Sequence, residues 1–282
     1  MFRRMRQGWE LTKKSWGVIR EHPKLLRLPL VGGVLALIAV ALIAGPGLFL
    51  VASDSAETSD DLLVYLGYGL IALGSFVASC IVIYYNVILA AAADQALQGR
   101  EPDIAAAKAI AGRRRGTIIG WAIVSAIVSL VFSLIRDKGG AVGNILGSIG
   151  AAAWGFVTFL VIPVIALEDI GPIDAVKRSG NLVKQRWGQQ ATGNVVIGGI
   201  ASIAMFIGIA LGVLGGVLIV AGGVAATSGG IALVVVGIVI AVMAGLAAGA
   251  TKGVFGVALY HFSAEHRALG PFSETELAHA AG

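Results

Sequence analysis

Charged residues are scarce in this sequence: Asp, Glu, Lys and Arg together make up 13% of its 282 residues, whereas an ordinary soluble domain has about a quarter. Cysteine is nearly absent as well, since Cys80 stands alone, and this excludes an intrachain disulfide and a cysteine-rich metal site. Hydrophobic residues amount to 57% of the chain, and the mean hydropathy is +0.88. This composition excludes a disordered protein and nearly every water-soluble enzyme, and it predicts a polytopic membrane protein.

Long uncharged stretches predict an all-α protein with six transmembrane helices in one integral membrane domain that spans residues 1–282. A bilayer core about 30 Å thick needs about 20 helical residues. The predicted spans lie near residues 28–52, 62–93, 117–135, 141–167, 191–223 and 231–262. A polar, turn-forming break at 226–230 favours two long helices within 191–262, with three shorter spans as the alternative.

The basic residues are distributed unequally between the connections. They concentrate before the first span and in the second and fourth connections, whereas the first connection has only acids and the fifth has no charge. If both termini are cytoplasmic, every Lys and Arg except Arg136 and Lys138 lies on the inner side, which is a strong positive-inside pattern. We therefore expect a multi-pass protein of the inner cell membrane with cytoplasmic termini.

A basic amphipathic segment precedes each of three predicted helical hairpins. The first, within residues 1–27, places Trp9, Trp16 and Ile19 on one apolar stripe beside its cations. The third, residues 172–187, has the same character, and the second, residues 102–115, is a weaker match. The pattern predicts three pseudo-repeated hairpins tied to amphipathic helices that lie on the cytoplasmic leaflet.

Two further patterns concern local structure. Residues 271–280 predict a short C-terminal helix that begins with a capping box formed by Ser273 and Glu276. Small residues recur every four positions in three spans, and this spacing lets helix backbones approach closely in a membrane. These residues are Gly143, Gly147, Ala151 and Gly155, then Gly208, Gly212 and Gly216, then Gly245, Gly249 and Gly253.

The returning helices of the three hairpins share a feature at one depth. Counted at 1.5 Å per residue from the outer end, Asn86, Pro163 and Gly256 all lie roughly 33–38 Å along their helices. We interpret these three residues as structural pivots just past the inner edge of the hydrocarbon. Lys252, at nearly the same depth, is expected to extend to the headgroups.

Signs of chemistry are weak. An ionisable residue in the middle of a span is the usual mark of an ion path, and this sequence has none, which argues against a proton- or sodium-coupled transporter. His261 and His266 are five residues apart, which is not the four-residue spacing of a helical metal pair. We expect no metal and no cofactor. The run Arg113–Arg115 is expected to hold anionic lipid rather than nucleic acid, because it lies at the inner end of a span.

Recognisable motifs lie around the fourth connection and at the inner ends of the returning helices. They are Pro163–Asp169, Gly171–Ser179, Arg186–Gly188, Gly193-Asn194, Tyr85–Leu89 and Phe255–Tyr260, with Ser15-Trp16, Leu25-Leu26 and Pro29 near the start. In these motifs the chain resembles an uncharacterised family of six-span prokaryotic integral membrane proteins, a domain of unknown function. More remotely, the plan is similar to the membrane domains of glycerophosphodiester phosphodiesterases. Their hydrolytic barrel is absent from this sequence, so the resemblance implies no activity.

These observations favour a non-enzymatic, lipid-contacting scaffold that binds anionic phospholipid at its cytoplasmic face, where a protein partner is left open. The alternative is an uncoupled transporter or lipid translocator for neutral or lipid-like cargo. A membrane enzyme ranks third, because Glu168, Asp169, His261, Glu265 and His266 have no spacing that requires them to converge. The expected lipid-binding residues are Trp9, Trp16, Arg113, Arg114, Arg115, Lys177, Arg178, Lys184, Arg186 and Trp187.

Overall fold

The computed structural model describes residues 2–53, 61–187, 193–222 and 224–281, and all regular secondary structure in these ranges is helical. The helices are α1 (Phe2–Glu21), α2 (Lys24–Ala39), α3 (Gly45–Ala52), α4 (Asp61–Leu97), α5 (Ile104–Arg113), α6 (Arg115–Lys138), α7 (Gly140–Val157), α8 (Val161–Leu167), α9 (Pro172–Trp187), α10 (Gly193–Ala221), α11 (Val224–Glu265) and α12 (Glu274–Ala281). A π-helical turn, Val40–Ala44, joins α2 to α3 without interrupting the helix.

Five helical stretches among the described residues are long and apolar enough to cross a membrane. They are Lys24–Ala52, Asp61–Leu97, Arg115–Lys138, Val142–Leu167 and Thr227–Glu265. A further apolar helical segment, Phe206–Ala221, is shorter. The all-helical prediction and the multi-pass class are thus confirmed.

The long helices pair along the chain: α4 packs on α2 and α3, α7 on α6, and α11 on α10. Glycines form the closest contacts within these pairs. The backbones of Gly208 and Gly237 touch, as do those of Gly215 and Gly230, because no Cβ separates them. Of the predicted stripe, Gly208 makes such a contact, whereas a Cβ at Gly212 or Gly216 would meet nothing within 4 Å, and Gly215 makes the second close contact instead.

The protein core lies at one end of the bundle, where α1, α5, α9 and α12 also gather; we name this the amphipathic end. Residues 87–93 of α4 and 254–263 of α11 are buried on every side, and they enclose residues 163–166 of α8. A helix that is apolar and buried all round marks the centre of a packed structure. Toward the opposite end the long helices contact mainly their own hairpin partner. Among residues 206–222 and 227–249, whose exposure the structure describes, only four glycines are buried.

The fourth predicted span, 141–167, is interrupted by a turn at residues 158–160 between α7 and α8. Pro163 has no amide hydrogen and its ring collides with the carbonyl four residues earlier, so an α-helix cannot run through this point unchanged. The hydroxyl of Ser179, fully buried on α9, satisfies the freed backbone groups. Its Oγ accepts a hydrogen bond from Leu160 N (3.2 Å) and donates one to Val157 O (2.6 Å).

The described part of the region 191–262 forms two helices rather than three. The turn between them lies at Gly222, which has a left-handed φ of 81°, and not at residues 226–230, which form the first turns of α11. Glycine adopts this backbone conformation at no steric cost, whereas the Thr and Ser of the predicted break are tolerated in a helix.

Candidate functional site

The three predicted pivots come together around one cavity. Asn86 on α4, Pro163 on α8 and Gly256 on α11 line a space of about 240 Å³ at the border of the buried core. Ala90, Pro163 and Gly256 form its buried end, and Gly256 lies close against Pro163, where a Cβ would stand 3.4 Å from the proline ring. We name this space the pivot cavity.

Two polar side chains line the pivot cavity among apolar neighbours. Asn86 and Lys252 are half-buried there, and the remaining wall is formed by glycines, Ala90 and the side chains of Phe159, Ile162 and Pro163. Within the described ranges no carboxylate lies at ion-pair distance from Lys252 Nζ, and the amide of Asn86 makes no side-chain hydrogen bond. The cavity thus combines one cation and one amide with apolar walls.

Glu168, Arg178 and Tyr260 form a polar network at the amphipathic end. Glu168, which follows α8, accepts hydrogen bonds at Oε1 from Tyr260 Oη on α11 (2.8 Å) and from Arg178 Nε on α9 (2.9 Å). The hydrogen bond to Glu168 raises the pKa of Arg178. Glu168 thereby joins the end of α8 to both α9 and α11.

His261 bridges two helices through both ring nitrogens. Nε2 lies 2.6 Å from Asp94 Oδ1 on α4, and Nδ1 lies 2.9 Å from Glu265 Oε2 one turn along α11. Because both nitrogens already face carboxylates, this histidine has no free position for a general base or a metal. The described residues contain no group of three or more side chains that could hold a metal ion.

Helix α1 presents two different faces. Leu11, Ser15, Val18 and Ile19 are buried against the core. Trp9, Lys13, Trp16 and Arg20 follow at i, i+4, i+7 and i+11, all are exposed, and Lys13 Nζ lies 5.5 Å from the centre of the Trp9 ring. We name these four residues the aromatic–basic face; the two tryptophans lie away from Ile19, with which the sequence pattern grouped them.

The other predicted lipid-binding residues comprise four exposed residues, two that make hydrogen bonds within the protein, and two whose side chains the structure does not describe. Arg113, Arg115, Lys177 and Lys184 are exposed at the amphipathic end, where Lys177 pairs with the exposed Asp174.

Arg114 and Arg178 instead make hydrogen bonds within the protein. Arg114 Nη1 donates to Ile165 O (2.5 Å), and burial lowers the pKa of this guanidinium. The side chains of Arg186 and Trp187 lie outside the described residues.

The C-terminal helix α12 confirms the predicted capping box and contacts α1. Ser273 N donates to Glu276 Oε2 (3.0 Å), and Glu276 N donates to Ser273 Oγ (3.3 Å). The same carboxylate accepts from Lys14 Nζ at 2.6 Å, and this hydrogen bond lowers the pKa of Glu276. No sequence pattern indicates the Lys14–Glu276 pair, because 262 positions separate the two residues.

Residues grouped by the enzyme alternative are partly brought together, since His261 binds Glu265 and neighbours the Tyr260–Glu168 contact. Glu168 is paired with Tyr260 and Arg178, whereas Asp169 and His266 are exposed.

A bundle of long apolar helices with amphipathic helices gathered at one end defines a multi-pass membrane protein. The chain belongs to a family of unknown function, DUF6159, whose model matches residues 65–270. This match confirms the resemblance to an uncharacterised family. Comparison with the curated proteins gives no match, and the remoter likeness to phosphodiesterase membrane domains stays a prediction.

Proposed function

We propose that this protein is a six-span, non-enzymatic protein of the inner membrane that binds anionic phospholipid with its amphipathic end. The observation that carries the proposal is the aromatic–basic face of α1, which exposes Trp9 and Trp16 at 43% and 40% although the helix buries its opposite side. Amphipathic tryptophan rings favour the headgroup level of a bilayer. Lys13 beside the Trp9 ring and the exposed Arg20 add attraction for anionic lipid.

The sixth span in this proposal is α10. Its 29 residues exceed the roughly 20 needed to cross a bilayer core, and it pairs with α11 as α6 pairs with α7. With six spans both termini lie on one side. The positive-inside rule places the amphipathic end, which contains Arg113, Arg115, Lys177 and Lys184, in the cytoplasm. Three repeated hairpins are the simplest description of this plan.

The first test replaces the tryptophans of the aromatic–basic face. In the double variant Trp9→Ala/Trp16→Ala, we expect the rise in melting temperature caused by phosphatidylglycerol to fall to less than about half, because two interfacial anchors are lost. The melting temperature in neutral lipid stays near that of the wild type, since neither ring belongs to the core. The measurement is thermal unfolding of the purified protein in phosphatidylcholine with and without phosphatidylglycerol.

The matched control removes two exposed aromatic rings from the opposite end. Phe49→Ala/Tyr65→Ala, both exposed at 72%, is expected to leave the response to phosphatidylglycerol unchanged. Indifference of the wild-type protein to phosphatidylglycerol and cardiolipin would overturn the proposal. Equal loss of the response in both double variants would show that the α1 face is not the binding surface.

The second candidate function is uncoupled movement of lipid across the bilayer. It is favoured by the sparse packing between hairpins toward the opposite end, where the exposed residues of α6, α7, α10 and α11 leave lipid-accessible space. Dithionite bleaching of fluorescent lipid in liposomes with the reconstituted protein tests this function. If bleaching is limited to the outer leaflet, lipid movement by this protein is excluded.

A further inference from the structure

The geometry points to the pivot cavity as a specific site for one anionic phospholipid, with Lys252 and Asn86 holding the phosphate. This inference rests on the proposed function and deepens it, because the cavity is separate from the aromatic–basic face of α1. Its first ground is the pair of polar side chains on apolar walls. Lys252 has no carboxylate partner within the described residues, so its charge is available to a ligand.

The second ground is the depth of the cavity. Counted at 1.5 Å per residue from residues 62 and 231, where the predicted spans begin, Asn86 lies about 36 Å and Lys252 about 32 Å along its helix. A bilayer core is about 30 Å thick. The cation and the amide therefore stand at the headgroup level, where a lipid phosphate is found, and not in the hydrocarbon.

The third ground is the shape of the cavity. The end formed by Ala90, Pro163 and Gly256 is buried, whereas Asn86, Phe159 and Lys252 are half-buried and border the outer surface of the helices. A volume of about 240 Å³ is below the range of pockets that enclose a drug-sized ligand. It suits a headgroup phosphate whose acyl chains stay in the bilayer.

Replacing a glycine of the cavity wall with a larger residue is a direct way to fill the cavity. Gly249 lines it, and a Cβ built there meets nothing within 4 Å. Gly249→Leu therefore fills the space without a backbone collision. The matched control is Gly245→Leu, one turn earlier on α11, which is exposed, also has nothing within 4 Å and does not line the cavity.

The experiment counts and titrates bound lipid on the purified full chain. Native mass spectrometry with dioleoyl phosphatidylglycerol is expected to show one tightly bound lipid in the wild type and in Gly245→Leu, and none in Gly249→Leu. Lys252→Gln is expected to weaken this binding by about tenfold or more, because a charge-assisted hydrogen bond is lost. Each variant is first shown to unfold cooperatively without added lipid; Lys252→Gln keeps the test valid if Gly249→Leu does not fold.

Further arms identify the ligand. Phosphatidylcholine and inorganic phosphate are titrated in the same way, and equal binding of either one overturns the assignment to anionic lipid. Retention of the tight lipid in both Gly249→Leu and Lys252→Gln overturns the site.

The double variant Trp9→Ala/Trp16→Ala separates this inference from the proposed function. If the site exists, this variant keeps the single tight lipid. If the proposed function is wrong, the variant also keeps the full thermal response to phosphatidylglycerol, while Lys252→Gln still loses the tight lipid.

Discussion

Asp94→Ala is expected to lower the free energy of unfolding by about 2–3 kcal/mol, because it removes one of two carboxylates from a buried histidine. His261 is 5% exposed, and its 2.6 Å contact with Asp94 joins α4 to α11 at the centre of the amphipathic end. The remaining contact with Glu265 is intrahelical, so it does not replace the link between the two helices. Chemical or thermal unfolding of the variant in detergent measures the effect.

A double replacement separates pairing from packing. Asp94→Leu/His261→Leu is expected to recover part of the lost stability relative to Asp94→Leu alone, because an apolar pair leaves no polar group unsatisfied in the core. Asp137→Ala, an exposed acid at the opposite end, is the control and should be within about 0.5 kcal/mol of the wild type. If Asp94→Ala proves as stable as this control, the contact between Asp94 and His261 does not stabilise the packing of α4 on α11.

Gly237→Ala is the second replacement with a large expected effect, a loss of about 1–3 kcal/mol. A methyl group at this position meets Gly208 O and lies 2.9 Å from Gly212 N, so α10 and α11 must separate. In a membrane no hydrophobic force restores the contact, since lipid solvates apolar helices as well as they solvate each other. The measurement is thermal unfolding in a neutral detergent.

Gly229→Ala provides the control for this replacement on the same helix. A Cβ at Gly229 meets nothing within 4 Å, and alanine is the better helix former. We expect no loss of stability there. A loss at Gly229 equal to that at Gly237 would show that the closeness of α10 and α11 is not what stabilises the hairpin.

The sequence is informative where one physical rule dominates. Apolar length alone locates the long helices. The common depth of Asn86, Pro163 and Gly256 can be read from the sequence, but the cavity that they line together is visible only in the structure. The capping box of Ser273 and Glu276 was predictable because its two partners are only three residues apart.

The remaining features depend on neighbours that are distant in sequence. Ser179 supports the turn before Pro163 from another helix, and His261 finds Asp94 across 167 positions. The faces of α1 also differ from the periodic prediction. Apolar spacing does not distinguish Ile19, which packs on the core, from Trp16, which is exposed.

Cysteine labelling in intact cells tests the central claim, that the amphipathic helices meet at the inner face of the membrane. In a Cys80→Ala background, single cysteines replace Asp137 at one end and Lys177 at the other, both exposed positions. We expect a membrane-impermeant maleimide to label Asp137→Cys in intact cells and Lys177→Cys only after lysis. Labelling of Lys177→Cys from outside, or of both cysteines from the same side, would contradict the account.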